Sequence, residues 1–321
     1  MRLTSILLTF AFGTASTAQT VTATIPPLAG IIGDLTRGVT AADSLLPAQA
    51  DPHHFTVAPS QIRTINSATR IFAVGQDMEP WLERFEPHLA EGVVLKLGEI
   101  EPVHPFLLDA RQIGTKAESE HEDAHEDEHE DEHEDEHEHE DEHDDEGHED
   151  EHEHAHGVID PHMWLSPEVL AVWAEEITAG LSADMPEHAE RLSVNLEAFK
   201  GDLAQINTDL AAVSASFAEQ EIRVVVTHDA FQYLETHLGL IHAGMLSDFQ
   251  DNAVGARSLS AISNLDGNIC LIIDPNERLP KGILQDAARA TIDPLGEEFI
   301  GNDRFTLSFF GAITQALSSC L

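Results

Sequence analysis

Apolar residues recur along this chain in two rhythms. Short runs rich in β-branched and other apolar residues fall at 21–25, 44–46, 70–74 and 93–97, and again at 223–227, 243–246, 269–274 and 290–292. Between them lie longer stretches with apolar positions three and four apart. Strands alternating with helices predict an α/β protein with parallel-type sheets, one in each half, covered on both faces. Val224, Val225 and Val226 are apolar on successive positions, the pattern of a strand buried on both sides. The clearest helix lies between the halves. Leu192, Leu196, Phe199, Leu203, Ile206, Leu210, Val213 and Phe217 follow at steps of four and three, which holds one apolar stripe in line for about 26 residues, or about 39 Å. Pro186 stands near its start, where a missing N–H costs little. A helix this long can bridge two lobes or pack within one domain.

Two segments break these rhythms. Residues 1–18 hold Arg2, an apolar stretch from Leu3 to Phe12 and small residues ending in Ser16, Thr17 and Ala18. That apolar core is far short of the roughly 20 residues needed to span a bilayer, so it reads as a secretory signal peptide. No later stretch is long enough to span a membrane, and no cysteine near the leader invites a lipid anchor. The second break is residues 118–156, with 24 Asp/Glu, 11 His and only Ser119, Ala124, Gly147 and Ala155 besides. It cannot bury enough apolar surface to offset chain entropy and reads as a disordered loop. Its histidines are His121, His125, His129, His133, His137, His139, His143, His148, His152, His154 and His156. The first five are four apart and would share one helix face, which like-charge repulsion opposes and metal bridging would favour. Imidazole is the usual zinc ligand, so these histidines read as interchangeable, weak auxiliary metal sites. The bland alternative is an inert solvated linker.

Charge narrows the function. The formal net charge is −43, of which the tract, without Lys or Arg, supplies −24. A surface this acidic repels phosphate backbones, which sets nucleic-acid binding aside. Cys270 and Cys320 are the only cysteines. An even count in an exported protein favours a bridge, with two buried free thiols as the alternative.

Nine histidines lie outside the tract. His88, His104, His188, His237 and His242 stand without an obvious partner in the sequence. His53 and His228 differ, because each follows a strand, and ligands in open α/β sheets bind beyond the carboxyl ends of strands. His162 comes directly after the tract rejoins the fold, in Asp160-Pro161-His162-Met163-Trp164-Leu165. Three neutral imidazoles suit zinc.

Around these residues the sequence resembles a known family. Its marks are Asp51-Pro52-His53-His54-Phe55-Thr56-Val57-Ala58-Pro59-Ser60, then Val74-Gly75-Gln76-Asp77-Met78-Glu79-Pro80-Trp81-Leu82 and Asp160-Pro161-His162-Met163-Trp164-Leu165-Ser166-Pro167. Thr227-His228-Asp229-Ala230-Phe231 and Asp293-Pro294-Leu295-Gly296 complete the series. In this order, and with a His/acid-rich loop before the second histidine, they resemble the zinc-uptake solute-binding proteins of ABC transporters, the ZnuA type within the ZnuA/TroA-like family. The resemblance covers nearly all of the mature chain. It implies two (β/α) lobes joined by one long helix, with metal in the interlobe cleft. It divides the chain into a signal peptide (1–18), an N-terminal lobe (19–185) carrying the loop 118–156, a connecting helix (186–218) and a C-terminal lobe (219–321).

Carried over by position, the implied ligands are His53, His162 and His228. Pro52 stands where some zinc members have Glu and offers no side-chain ligand, so Asp293, or else water, is implied as the fourth. Manganese members carry a carboxylate where His228 stands, so the resemblance is to a zinc carrier. Cys270 and Cys320 match a cysteine pair of zinc members. The function implied is capture of Zn²⁺ in the periplasm by a monomer that delivers it to a membrane permease. The rivals are a zinc buffer or adhesin with no transporter partner, and a zinc hydrolase using bound water. Against the hydrolase, no His-Glu-x-x-His segment is present. Asp229, which adjoins His228, reads as a helix cap.

Overall fold

The computed structural model describes residues 20–47, 50–111, 113 and 158–321. The leader and the tract lie outside the described residues. Two four-stranded sheets form. The first has β1 (Val21–Ala23), β2 (Ala42–Ser44), β3 (Arg70–Ala73) and β4 (Val94–Lys96) in the order β2-β1-β3-β4. The second has β5 (Arg223–Val226), β6 (Ile241–Met245), β7 (Ile269–Ile273) and β8 (Ala288–Thr291) in the order β6-β5-β7-β8. Every pairing is parallel, as strands alternating with helices require. The two sheets repeat one strand order.

Proline sets several helix starts. α1 (Pro26–Leu35), α2 (Pro59–Ser67) and α3 (Pro167–Asp184) each begin on one, where the absent N–H would have had no partner. Ser166 caps α3 by accepting the Val169 N–H at 3.2 Å. The expected long helix is α4 (Ala189–Glu219), 31 residues preceded by a 3₁₀ turn at Pro186–His188. Seven of its eight predicted stripe residues are buried, and Leu196 is half-buried. The remaining helices are α5 (Gln232–Leu238), α6 (Ala256–Ser263) and α7 (Phe305–Ser318). Among the described residues no helix is long and apolar enough to cross a membrane.

The two lobes are not separate cores. A single apolar cluster runs from Val21, Ala23 and Phe72 of the first sheet through Phe199, Leu203 and Ile206 of α4 to Val224, Val226 and Ile272 of the second. α7 crosses back to pack on α1 and α4. Gly30 of α1 permits that approach, since a Cβ there would stand 2.3 Å from the Phe305 ring. Asp34 of α1, buried, accepts the N–H groups of Phe305 and Thr306 at 2.9 Å each and so caps α7 from another helix. Cys270 of β7 and Cys320 just past α7 form a disulfide with a Cα–Cα distance of 5.5 Å. In chain-entropy terms a loop of this size stabilises by about 4 kcal/mol. The free-thiol alternative falls away.

Candidate metal centre

The three histidines converge from three loops. His228 lies two residues past the carboxyl end of β5. His53 sits in the loop between β2 and α2, where Asp51 Oδ1 accepts its backbone N–H at 2.8 Å and tightens the turn. His162 lies just before a 3₁₀ turn at Met163–Leu165 that leads into α3. Ring centroids are 5.5 Å apart for His53 and His162, 6.2 Å for His53 and His228, and 5.4 Å for His162 and His228. One ring nitrogen from each lies within 4.8 Å of the other two. A tetrahedral zinc with Zn–N of about 2.0–2.1 Å spaces its ligands about 3.3 Å apart, so the rings need draw in by no more than about 1.5 Å. They line a cavity of ≈ 290 Å³ with Asp51, Asp251, Asp274 and Glu277, and no Lys or Arg is among its described lining residues.

A carboxylate stands behind each of two rings. Asp160, 1% exposed, accepts the His162 backbone N–H at 3.0 Å and lies 2.9 Å from its Nδ1, which leaves Nε2 for a metal. Asp251 Oδ1 stands 2.9 Å from His228 Nδ1. His53 Nε2 is buried without a hydrogen-bond partner, an orphaned acceptor of the kind a metal satisfies. Burial, then the two neighbouring rings, press the His53 pKa down to about 3. Burial and His228 lower His162 well below its usual range. Burial also opposes a proton on His228, but the Asp251 carboxylate outweighs it and leaves that pKa raised. Burial lifts Asp160 to about 7, and a cation on His162 would draw its proton off.

Asp293 does not join the group. Its two oxygens accept the N–H groups of Leu295 and Glu297, both at 2.9 Å, and so close the turn after β8. The next residue does reach the site: the Pro294 carbonyl accepts the Trp164 indole N–H at 2.7 Å, tying the His162 loop to the other lobe. The second motif, Val74 to Leu82, is also architectural. Glu79, buried, accepts the N–H groups of Val74 and Gly75 and the Thr24 hydroxyl, pinning the loop after β3.

Several acids have roles the sequence did not show. Asp229 is not a cap; its carboxylate pairs with Arg111 at 2.7 Å, and the same guanidinium reaches Glu235 at 2.6 Å. Glu235 also partners His242 at 3.0 Å, and Glu168 partners His237 at 2.7 Å, so both histidines are paired. Arg111 belongs to a neck where residues 108–110 run antiparallel to 158–160. Ala110 donates to Val158 O and Asp160 to Leu108 O, both at 2.9 Å. The neck therefore ends, at Asp160, two residues from His162.

The family described as "ZnuA: Zinc-uptake complex component A periplasmic" matches residues 21–269. The chain is 34% identical to the high-affinity zinc uptake system protein ZnuA of Haemophilus ducreyi, over 96% of this chain and 94% of that one. It is 33% identical to the protein of the same name from Paracoccus denitrificans, over 100% and 99%. A crystal structure of ZnuA superposes with a TM-score of 0.64 at 18% identity, covering 94% of this chain and 98% of that one, a likeness of fold. With the profile spanning most of the chain and relatives matching end to end, the chain belongs to the ZnuA family of zinc-uptake solute-binding proteins.

Proposed function

We propose that this chain captures Zn²⁺ in the periplasm, after removal of residues 1–18, and as a monomer hands it to the permease of an ABC transporter. It binds without bond chemistry. The observation that carries the reading is the convergence of His53, His162 and His228, from both lobes, on one acid-lined cavity. The homologues named for high-affinity zinc uptake support the same cargo. Two of the rings have their protons driven off by burial, so they are ready to ligate. A set of three imidazoles favours zinc over the hard oxygen-seeking cations. Since Asp293 is held by backbone donors, water takes the fourth place and the ion stays exchangeable.

Competition titration against a zinc chelator tests the assignment. His162→Ala should weaken tight binding at least tenfold, while Asp293→Asn should change it less than threefold. Unchanged affinity in His162→Ala removes that ring from the site, and a tenfold loss in Asp293→Asn makes Asp293 the fourth ligand.

A further inference from the structure

A second set of ligands stands at the mouth of the same cavity. One ligand atom from each of Asp51, His54 and Asp251 lies within 4.8 Å of the other two, and all three residues are exposed. Asp51 and His54 come from the loop that carries His53. Asp251 comes from the other lobe, in a turn closed by the bridge between Ser247 and Ala253. The His54 Nδ1 is 2.8 Å from Asp51 Oδ2, which leaves Nε2 as its ligand nitrogen.

Asp251 connects this set to the inner one. On its cavity side the His228 ring, 5% exposed, aims a buried Nδ1 that has no aligned hydrogen-bond partner, at 2.9 Å from Oδ1. On its outer side stand the two exposed ligands. Two carboxylates and one imidazole make a harder, wetter ligand set than three imidazoles, suited to an ion that still keeps part of its water. Asp274 and Glu277 add negative charge to the cavity wall, so a cation arriving at the mouth is held there and drawn inward.

Resting on the reading of the inner group as the zinc-holding site, we propose that Asp51, His54 and Asp251 form an outer transit site, which takes zinc at the cavity mouth and passes it to His53, His162 and His228. The hand-over is short, because His54 and His53 are adjacent and Asp251 touches His228. Each lobe supplies ligands to both sets, so the ion meets one bridging site before the next.

The test is kinetic and uses the full chain stripped of metal. Zinc chloride is mixed in a stopped-flow instrument, and tryptophan fluorescence is followed, with the Trp164 ring 5.2 Å from that of His162. His54→Gln is the variant, since Asp51 and Asp251 also support inner ligands. It removes a ligand and keeps the formal charge, so electrostatic steering is unaltered. The association rate should fall at least fivefold, at low and at high salt alike, with equilibrium affinity within twofold of the parent. An unchanged association rate overturns the transit site. A tenfold loss of affinity also overturns it, by making His54 an inner ligand. Failure of the inner reading is separate: His162→Ala would then bind zinc as tightly as the parent.

Discussion

Protons compete with zinc for imidazole nitrogens, and the residues around each ring decide where they win. Burial has already emptied His53 and His162 of protons near neutrality, whereas Asp251 keeps His228 easier to protonate than a free histidine. Acid should therefore weaken binding through one ring and through the Asp160 carboxyl behind another. As pH falls through the raised pKa of His228 and the value of about 7 to which burial lifts Asp160, zinc must displace a proton from each, and the loss of affinity should steepen from about tenfold toward about a hundredfold per pH unit. Chelator competition between pH 5 and 7.5 checks this, and an affinity independent of pH, or a slope of three protons, would contradict it. The three rings were legible in the sequence because each sits in a distinctive setting: after a strand, or in a Pro-His-Met-Trp run. Asp160, which orients the His162 ring, and Asp251, which stands beside His228, were not. In a chain with 59 acidic residues a single Asp carries no signal, and its role depends on an approach across the fold that local pattern does not encode.

The elements were legible where side chains alternate or recur and blurred where strands end. β2 occupies Ala42–Ser44, yet the apolar signal pointed to 44–46, because Leu45 and Leu46 are the buried residues. They follow the strand and still bond to the end of β1 and the residue after it, donating to Ala23 O and Thr24 O at 2.8 and 2.9 Å. β6 starts at Ile241, which is 56% exposed, so its first residues gave no inward pattern. β8 begins at Ala288 and carries Arg289, which hid its start. The docking of α7 on α1 was beyond periodicity, since nothing local marks Asp34 as the cap of a helix some 270 residues away. Asp34→Ala leaves two buried N–H groups without an acceptor and should cost about 2 kcal/mol. Gly30→Ala should also destabilise, against its helix propensity, because the new methyl meets Phe305. Denaturant unfolding in the presence of chelator measures both; stability at or above the parent's in either variant would refute the packing described.

At the scale of the molecule, the proposed reading gives the tract and the folded body separate work. The neck between residues 108–110 and 158–160 is closed by its own backbone bonds and by Arg111, so removing residues 118–156 leaves that closure in place. Calorimetric titration of such a deletion should retain one tight zinc site and lose several weak ones. Disappearance of the tight site would mean that the tract supplies ligands to it.

The continuous core has a consequence for how a transporter reads its cargo. With α4 and α7 packed into both halves and a disulfide fastening α7 to β7, the sheets cannot swing apart like jaws, for packed interiors resist gradual deformation. Filled and metal-free forms should scatter X-rays almost alike. A membrane partner must then distinguish cargo-bearing from spent molecules by the set of a few loops around the opening rather than by their outline.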